Sequence, residues 1–351
     1  MIYKEPTIIH IGPDPNFAYG GMASLLNTYS KFNSNFVFIS TTRRLKKGKE
    51  GPVIIFYRLL ISIIKILFLL SKKGEKIIHI HTASNLSFFR KSIFINISYL
   101  FKAKIILHIH GGSFFDFYNR HPKFVKKELT KCNRIITIAE IWKNNLIELG
   151  FKNVLTLHNP IPIPKPNIIN INKTTFNILF LGTITENKGI WDILNMIKDH
   201  QSEILNQIQF FIGGNGEVDK LLDFIKINNL NKIVKYVGYL DEKTKTLAFL
   251  NSDLYIQPSY KEGLGMAIIE AMSYKLPVIA SNTGGIPEIV KNNYNGFLIK
   301  PGDMEDLFKK INLIKDNNEL KNKFKINSFK LSKSYFEDNV KNELFKLYKS
   351  L

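Results

Sequence analysis

The chain has 351 residues, 45% of them hydrophobic and 22% charged, which suits two mid-sized domains and excludes both wholesale disorder and a polytopic membrane protein. Cys132 is the single cysteine, so an internal disulfide, a cysteine-rich zinc site and a CxxC redox pair are excluded, as suits a reducing cytoplasm. The net charge of +20, from 49 Lys+Arg against 29 Asp+Glu, predicts attraction to polyanions. No aromatic-interleaved RNA motif or zinc finger is present, so the expected partners are phosphorylated substrates and anionic lipid, not nucleic acid.

The first residues lead toward a strand without the apolar core and cleavage site of a signal peptide, and an intracellular protein is expected. Short β-rich runs at 7–11, 36–39, 77–81, 104–110, 134–138 and 154–157 alternate with amphipathic stretches, a doubly wound pattern. The run Lys104-Ile105-Ile106-Leu107 is almost continuously apolar, as strands of a parallel sheet are when helices cover both faces. The stretch 53–70 is apolar enough to resemble a membrane span, yet Arg58, Ser62 and Lys65 recur at helical spacing and put a polar stripe on one face, which argues against spanning. Two readings stay open: a buried helix with one wet stripe, or a helix lying in a lipid interface with its cations near headgroups.

At His158-Asn159-Pro160-Ile161-Pro162-Ile163-Pro164-Lys165-Pro166 the prolines remove backbone donors and hold their neighbours extended, as a linker would. Strands then restart at 178–181, 209–212, 234–237, 254–257, 277–280 and 297–299. The expected division is a first domain over 1–160, a linker over 161–173, a second domain over 174–330, and a C-terminal helix over 331–351 packing back on the first domain.

Unusual residues cluster where strands end, which is where open parallel sheets bind ligands. Gly20-Gly21 before a helical run serves either as a plain loop or as a close approach to a phosphate. Leu181-Gly182-Thr183 continues through Glu186-Asn187-Lys188-Gly189 into a helix, placing one ammonium at a helix mouth. Gly213-Gly214-Asn215-Gly216 makes another tight turn. In the segment from Pro258 to Met272, Glu262 lies in a glycine-rich loop and Glu270 about two turns along the following helix. These acids could accept from two hydroxyl-bearing parts of one elongated ligand, but spacing alone favours Glu262 as a helix-dipole partner and Glu270 as a solvated helix residue.

The ordered set Pro258-Ser259-x-x-Glu262-Gly263-x-Gly265-x-x-x-x-Glu270-Ala271-Met272, Pro277-Val278-Ile279-Ala280-Ser281, Gly284-Gly285-Ile286-Pro287-Glu288, Asn295-Gly296-Phe297 and Pro301-Gly302-Asp303 closely resembles family 4 of the retaining GT-B glycosyltransferases, the glycosyl transferases group 1 of capsule, exopolysaccharide and lipopolysaccharide synthesis. The likeness covers the second half almost throughout and the first half thinly. It implies an α/β fold of two Rossmann-like doubly wound domains facing across a cleft that holds a UDP- or GDP-sugar. It also implies hexosyl transfer with retention to a glycan or polyprenyl-diphosphate-linked oligosaccharide, without a metal or other cofactor. On this resemblance Glu270 holds the ribose hydroxyls, Glu262 a donor-sugar hydroxyl, and Lys188 the diphosphate. Gly20 and Gly21 close over the phosphates, Gly214 and Gly216 supply a close-approach turn, and the amides of Gly265 and Met266 assist. The family's arginine after Leu181-Gly182 is replaced by Thr183, which removes one diphosphate contact.

In the first half, Ile106-Leu107-His108-Ile109-His110-Gly111-Gly112 resembles the family's strand ending in His-Gly, making His110 the donor-sugar contact, with His108 on the same face. His79-Ile80-His81 is a second alternating pair; imidazoles ligate zinc, but no Asp or Cys accompanies them, and no metal site is expected. Rival readings are an epimerase or hydrolase of the same fold and an inactive sugar-nucleotide-binding subunit. A peripheral position on the inner face of the cytoplasmic membrane is expected from the charge and the helix around Arg58 and Lys65.

Overall fold

The computed structural model describes residues 6–17, 21–45, 48–164 and 174–351, with the side chains of 44, 45, 48 and 49 left aside. The chain divides into two compact units, one of residues 1–160 with 337–351 and one of residues 161–336. The return to the first unit therefore falls after Phe336, six residues later than the sequence suggested. Ile161, expected in the linker, is buried and pairs with Phe336 inside the second unit.

Unit 1 carries a six-stranded parallel sheet in the order β2-β1-β5-β6-β7-β8, where β1 is Thr7–Pro13, β2 Val37–Thr42, β5 Lys76–Thr82, β6 Lys104–Ile109, β7 Arg134–Thr137 and β8 Val154–Thr156. A short hairpin of β3, Arg44–Leu45, and β4, Gly48–Lys49, precedes the long helix. Unit 2 repeats the plan in the order β11-β10-β9-β12-β13-β14, with β9 Phe176–Leu181, β10 Ile208–Gly213, β11 Val234–Gly238, β12 Leu254–Gln257, β13 Val278–Ser281 and β14 Gly296–Ile299. Strand order reverses between β1 and β5 in unit 1 and between β9 and β12 in unit 2. Loops leaving such a pair diverge to opposite faces and open a crevice at the strand ends.

Both sheets are covered on two sides, which is why Ile105, Ile106 and Leu107 are all fully buried. One face of the unit 1 sheet packs Phe88, Phe94, Phe117 and Val125 from the helices that follow β5 and β6. The other face packs Leu25, Leu26 and Tyr29 of the helix Gly21–Phe32 together with Val340, Leu344, Leu347 and Tyr348 of the last helix, Glu337–Lys349.

The helix Pro52–Ser71 reverses the orientation its sequence suggested. Ser62 is buried and donates to Ser40 O at 3.1 Å, and Arg58 turns back to Glu50 with Nη2 2.6 Å from Oε1, so part of the polar stripe faces the protein. The opposite face exposes Phe56 (57%), Leu60, Ile64 (67%) and Phe68 (62%), beside exposed Lys65. The reading as a buried helix with one wet stripe is thereby overturned, because the polar groups found partners in Glu50 and Ser40 and the apolar ones did not.

Candidate active site

In unit 2 the loops after β9 and β12 carry the charged residues, at the point where strand order reverses. Gly182 N donates to Gly213 O at 3.0 Å, and a Cβ on Gly214 would collide with Gly182 O, so the tight turn brings the ends of β9 and β10 together. Gly214 N is committed to Gly238 O at 2.9 Å, and Gly216 bridges to Ile184. What these two glycines visibly contribute is close backbone packing. Thr183 is exposed at the end of β9.

The chain then makes a short 3-10 turn, Glu186–Lys188, pinned by Tyr260 N donating to Asn187 O at 3.0 Å. This turn holds Lys188 Nζ in an ion pair with Glu262 Oε2. The same carboxylate accepts from Gln257 Nε2 at 2.8 Å and, through Oε1, from Gly263 N at 3.1 Å. Gln257 is itself fixed by the hydroxyl of buried Tyr255, which donates to its Oε1 at 2.8 Å. Glu262 and Lys188 stay 14% and 22% exposed at their side chains, so the pair is reachable from solvent.

Glu270 lies on the helix Met266–Ser273, little more than one turn in, because the helix starts only at Met266. Gly265 caps it with φ of 84°, a left-handed conformation that favours glycine. The amides of Met266 and Ala267 precede the first bonds of this helix, which Ile268 N and Ile269 N make to Gly265 O at 2.9 and 3.2 Å, and they carry its positive dipole end. Glu270 Oε1 receives Lys245 Nζ at 2.7 Å from the helix Glu242–Leu250, whose start is capped by Asp241 Oδ1 accepting from Thr244 N at 2.8 Å. Burial pushes the Tyr255 hydroxyl well above its ordinary value, and Glu262 and Glu270 both add to that rise. Both acids thus lie within electrostatic reach of one buried tyrosine.

Unit 1 brings its expected residues together differently. His110 follows β6, with its ring centroid 4.0 Å from that of His108. His79 and His81 stack alongside, and a fifth ring, His10 of β1, completes the group. His10, His79, His81 and His108 are fully buried. Burial lowers His10 and His110 to about 3. It also holds His79, His81 and His108 well below the ordinary value, with neighbouring imidazoles adding to the shift. Two triads, His10 with His79 and His81, and His81 with His108 and His110, each bring three candidate ligand nitrogens within 4.8 Å of one another. Among the described residues most of those nitrogens are engaged with one another or with Tyr348, and not with the carboxylates that usually back histidines in a metal's coordination sphere. Gly21 begins its helix in an exposed position; Gly20 lies outside the described residues.

Sequence reasoning missed Lys245, Gln257, His10 and Tyr348. Gln257, a polar residue closing an apolar strand, carried a signal; Lys245, one of many surface lysines, carried none.

Two parallel six-stranded α/β units with these strand orders define the GT-B fold, and solved structures agree. Anabaena HepE in complex with UDP superposes with a TM-score of 0.76 at 16% identity, covering 98% of this chain and 100% of that one. Residues 164–331 match the family model described as glycosyl transferases group 1. An uncharacterized glycosyltransferase of Methanocaldococcus jannaschii is 26% identical over 241 residues, 63% of this chain and 62% of its own length. Poly(ribitol-phosphate) alpha-N-acetylglucosaminyltransferase of Staphylococcus aureus is 26% identical over 226 residues, 62% of this chain and 45% of that protein.

Proposed function

We propose that the chain transfers a hexosyl group from a UDP- or GDP-sugar to a glycan or polyprenyl-diphosphate-linked acceptor in surface polysaccharide synthesis, with retention of configuration and without a metal ion. The observation that carries this reading is the convergence of Lys188, Glu262 and Glu270 at the strand-order reversal of unit 2, beside the amino end of the helix Met266–Ser273. The match of residues 164–331 to the glycosyl transferases group 1 model and the activity in the name of the Staphylococcus aureus relative support it.

In this reading Glu270 accepts the ribose hydroxyls and Glu262 a hydroxyl of the donor sugar. As the glycosidic bond breaks, negative charge grows on the departing diphosphate, where Lys188 and the amides of Gly265 and Met266 stabilise it. Lys188 must then pass from Glu262 to the phosphate. The pair is reachable from solvent, so the ammonium exchanges one anionic partner for another without being left unpaired. The acceptor hydroxyl loses its proton to the departing phosphate. His110 is the unit 1 residue to which the same reading gives a sugar contact.

Thermal stabilisation across a panel of nucleotide sugars tests the donor, because a ligand that binds only the folded state raises the melting temperature. UDP- or GDP-sugars should raise it and free sugars should not; a flat panel rejects the reading. The exposed Thr183 favours one rival, a binding subunit without turnover, which calorimetric donor binding without transfer to any acceptor would establish.

The same proposal places the chain on an anionic membrane surface inside the cell, where a polyprenyl-linked acceptor is presented. The helix Pro52–Ser71 is about 30 Å long, is tied to the sheet along one side, and offers lipid an apolar face flanked by Lys65 and Lys72. The protein should co-sediment with vesicles containing anionic lipid at low salt, and Ile64→Asp with Phe68→Asp should abolish this. Unchanged sedimentation of that double variant would remove the helix from the account.

A further inference from the structure

The imidazoles of unit 1 form one continuous hydrogen-bonded chain that includes a tyrosine of the last helix. His110 Nε2 lies 3.0 Å from His81 Nδ1, and His81 Nε2 lies 3.0 Å from His10 Nδ1. His10 Nε2 lies 3.2 Å from the Tyr348 hydroxyl, which is 2.7 Å from His79 Nδ1, and His79 Nε2 lies 3.2 Å from His108 Nδ1. Among the described residues the two terminal nitrogens, His110 Nδ1 and His108 Nε2, have no partner.

Proton counting turns this geometry into a constraint. A neutral imidazole carries one N–H, and the tyrosine carries one O–H. Five rings and one hydroxyl thus supply six protons to five links, and one proton is left for an end. With the hydroxyl's proton placed in one of its two links, donation runs in a single direction along the chain, because each interior imidazole gives at one nitrogen and accepts at the other and the Tyr348 oxygen gives to one neighbour while accepting from the other. If it runs from His110 to His108, the spare proton sits on His108 Nε2 and His110 Nδ1 is bare. If it runs the other way, His110 Nδ1 carries the proton and His108 Nε2 is bare. Burial keeps all five rings in the neutral state this count requires.

We propose that Tyr348 is a positioning residue for His110: through His10 and His81 it holds His110 Nε2 engaged inward and makes the proton on His110 Nδ1 and the proton on His108 Nε2 mutually exclusive. The role rests on the reading of His110 as a ligand contact, since the tautomer decides whether that ring donates to or accepts from a sugar hydroxyl. The chain also lets a proton taken up at one free nitrogen be released at the other without net charge remaining in the core. Tyr348 lies at the far end of the sequence, so the last helix contributes chemistry to unit 1 as well as packing.

The test uses full-length protein labelled with 15N-histidine, in which long-range proton–nitrogen correlations report which nitrogen of each ring is protonated. In the parent protein, one and only one of His110 Nδ1 and His108 Nε2 should carry a proton. Tyr348→Phe should uncouple them, so that both free nitrogens are found protonated or both bare in part of the population. His10→Leu, which cuts the chain at a different link, should do the same, and it covers the case in which Tyr348→Phe does not fold. Leu344→Ala loosens the same helix without touching the hydroxyl, and it should leave the pattern intact. With an active donor and acceptor pair, Tyr348→Phe should lower kcat about tenfold and leave KM within about twofold. An unchanged tautomer pattern in both Tyr348→Phe and His10→Leu overturns the proposal. So do two protonated terminal nitrogens in the parent, or ring shifts of metal-bound imidazole with stoichiometric zinc. The spectra need no substrate, so loss of the glycosyltransferase reading would leave this result standing on its own.

Discussion

At the strand ends of unit 2 the polar groups are full charges that solvent still reaches, Lys188 against Glu262 and Lys245 against Glu270. At the corresponding edge of unit 1 they are imidazoles, four of the five fully buried, and kept neutral by burial. The same architecture thus solves one problem in two ways. On the proposed function unit 2 meets a charged ligand, and its ion pairs, still open to solvent, can be exchanged for contacts with that ligand. Where the site is closed, the sheet keeps groups that satisfy one another without carrying charge, because an unpaired buried ion would be far more costly.

The comparison breaks most visibly at Glu262. Glu262→Gln keeps the shape and one acceptor oxygen, for Gln257, but removes the charge and the acceptor for Gly263 N, and transfer should fall about 100- to 1000-fold with only a modest change in melting temperature. Glu270→Gln should act mainly through donor KM, because a ribose contact is made equally in the ground and transition states. Steady-state kinetics at several donor concentrations separates the two; near-parent turnover of Glu262→Gln would end the assignment of unit 2 as the charged site.

Acid should find the other region first. A histidine whose pKa is lowered on folding binds protons preferentially when unfolded, so its stabilisation is complete above about pH 6.5 and is lost as pH falls toward 3. Each such ring contributes a slope of about 1.4 kcal/mol per pH unit within that window. Five of them should make the melting temperature drop steeply between pH 6.5 and 4.5, with amide exchange rising in β1, β5 and β6 before β9 and β12. A flat melting temperature over that range, or β9 and β12 opening first, would show that the rings are not held neutral.

How much of this could be read from sequence follows from which information is local. Among the described residues every strand of the two large sheets was legible, because runs such as 104–107 are apolar enough to require cover on both faces; the small β3–β4 hairpin was not anticipated. Glu262 and Glu270 stood out through an ordered motif, but their partners did not. Gln257 holds Glu262 across a loop, and Lys245 reaches Glu270 from a separate helix, relations that no spacing rule contains. The pairs His79 with His81 and His108 with His110 are visible as alternations, whereas His10 stands alone in an apolar run and nothing beside Tyr348 in sequence marks it as more than a residue of a packed helix. For the helix Pro52–Ser71, periodicity located the polar stripe but not its direction, which was settled by Glu50 and Ser40, distant partners for Arg58 and Ser62.

The smallest expected effect tests whether the charged site is short of one cation. Family resemblance places an arginine where this chain has Thr183, and that position is exposed at the end of β9, five residues before Lys188. Thr183→Arg adds a guanidinium where a diphosphate would lie, and because the side chain is exposed the substitution displaces no core group. A solvent-screened contact of this kind is worth about 1 kcal/mol, or roughly fivefold in affinity. Calorimetry should therefore show UDP or GDP binding about fivefold more tightly, with an advantage that shrinks as salt is raised. If affinity is unchanged, Lys188 and the helix amides already saturate the phosphates, and the threonine is no deficit. If affinity rises while kcat falls, the added cation holds the departing diphosphate too long, and threonine at this position then serves product release.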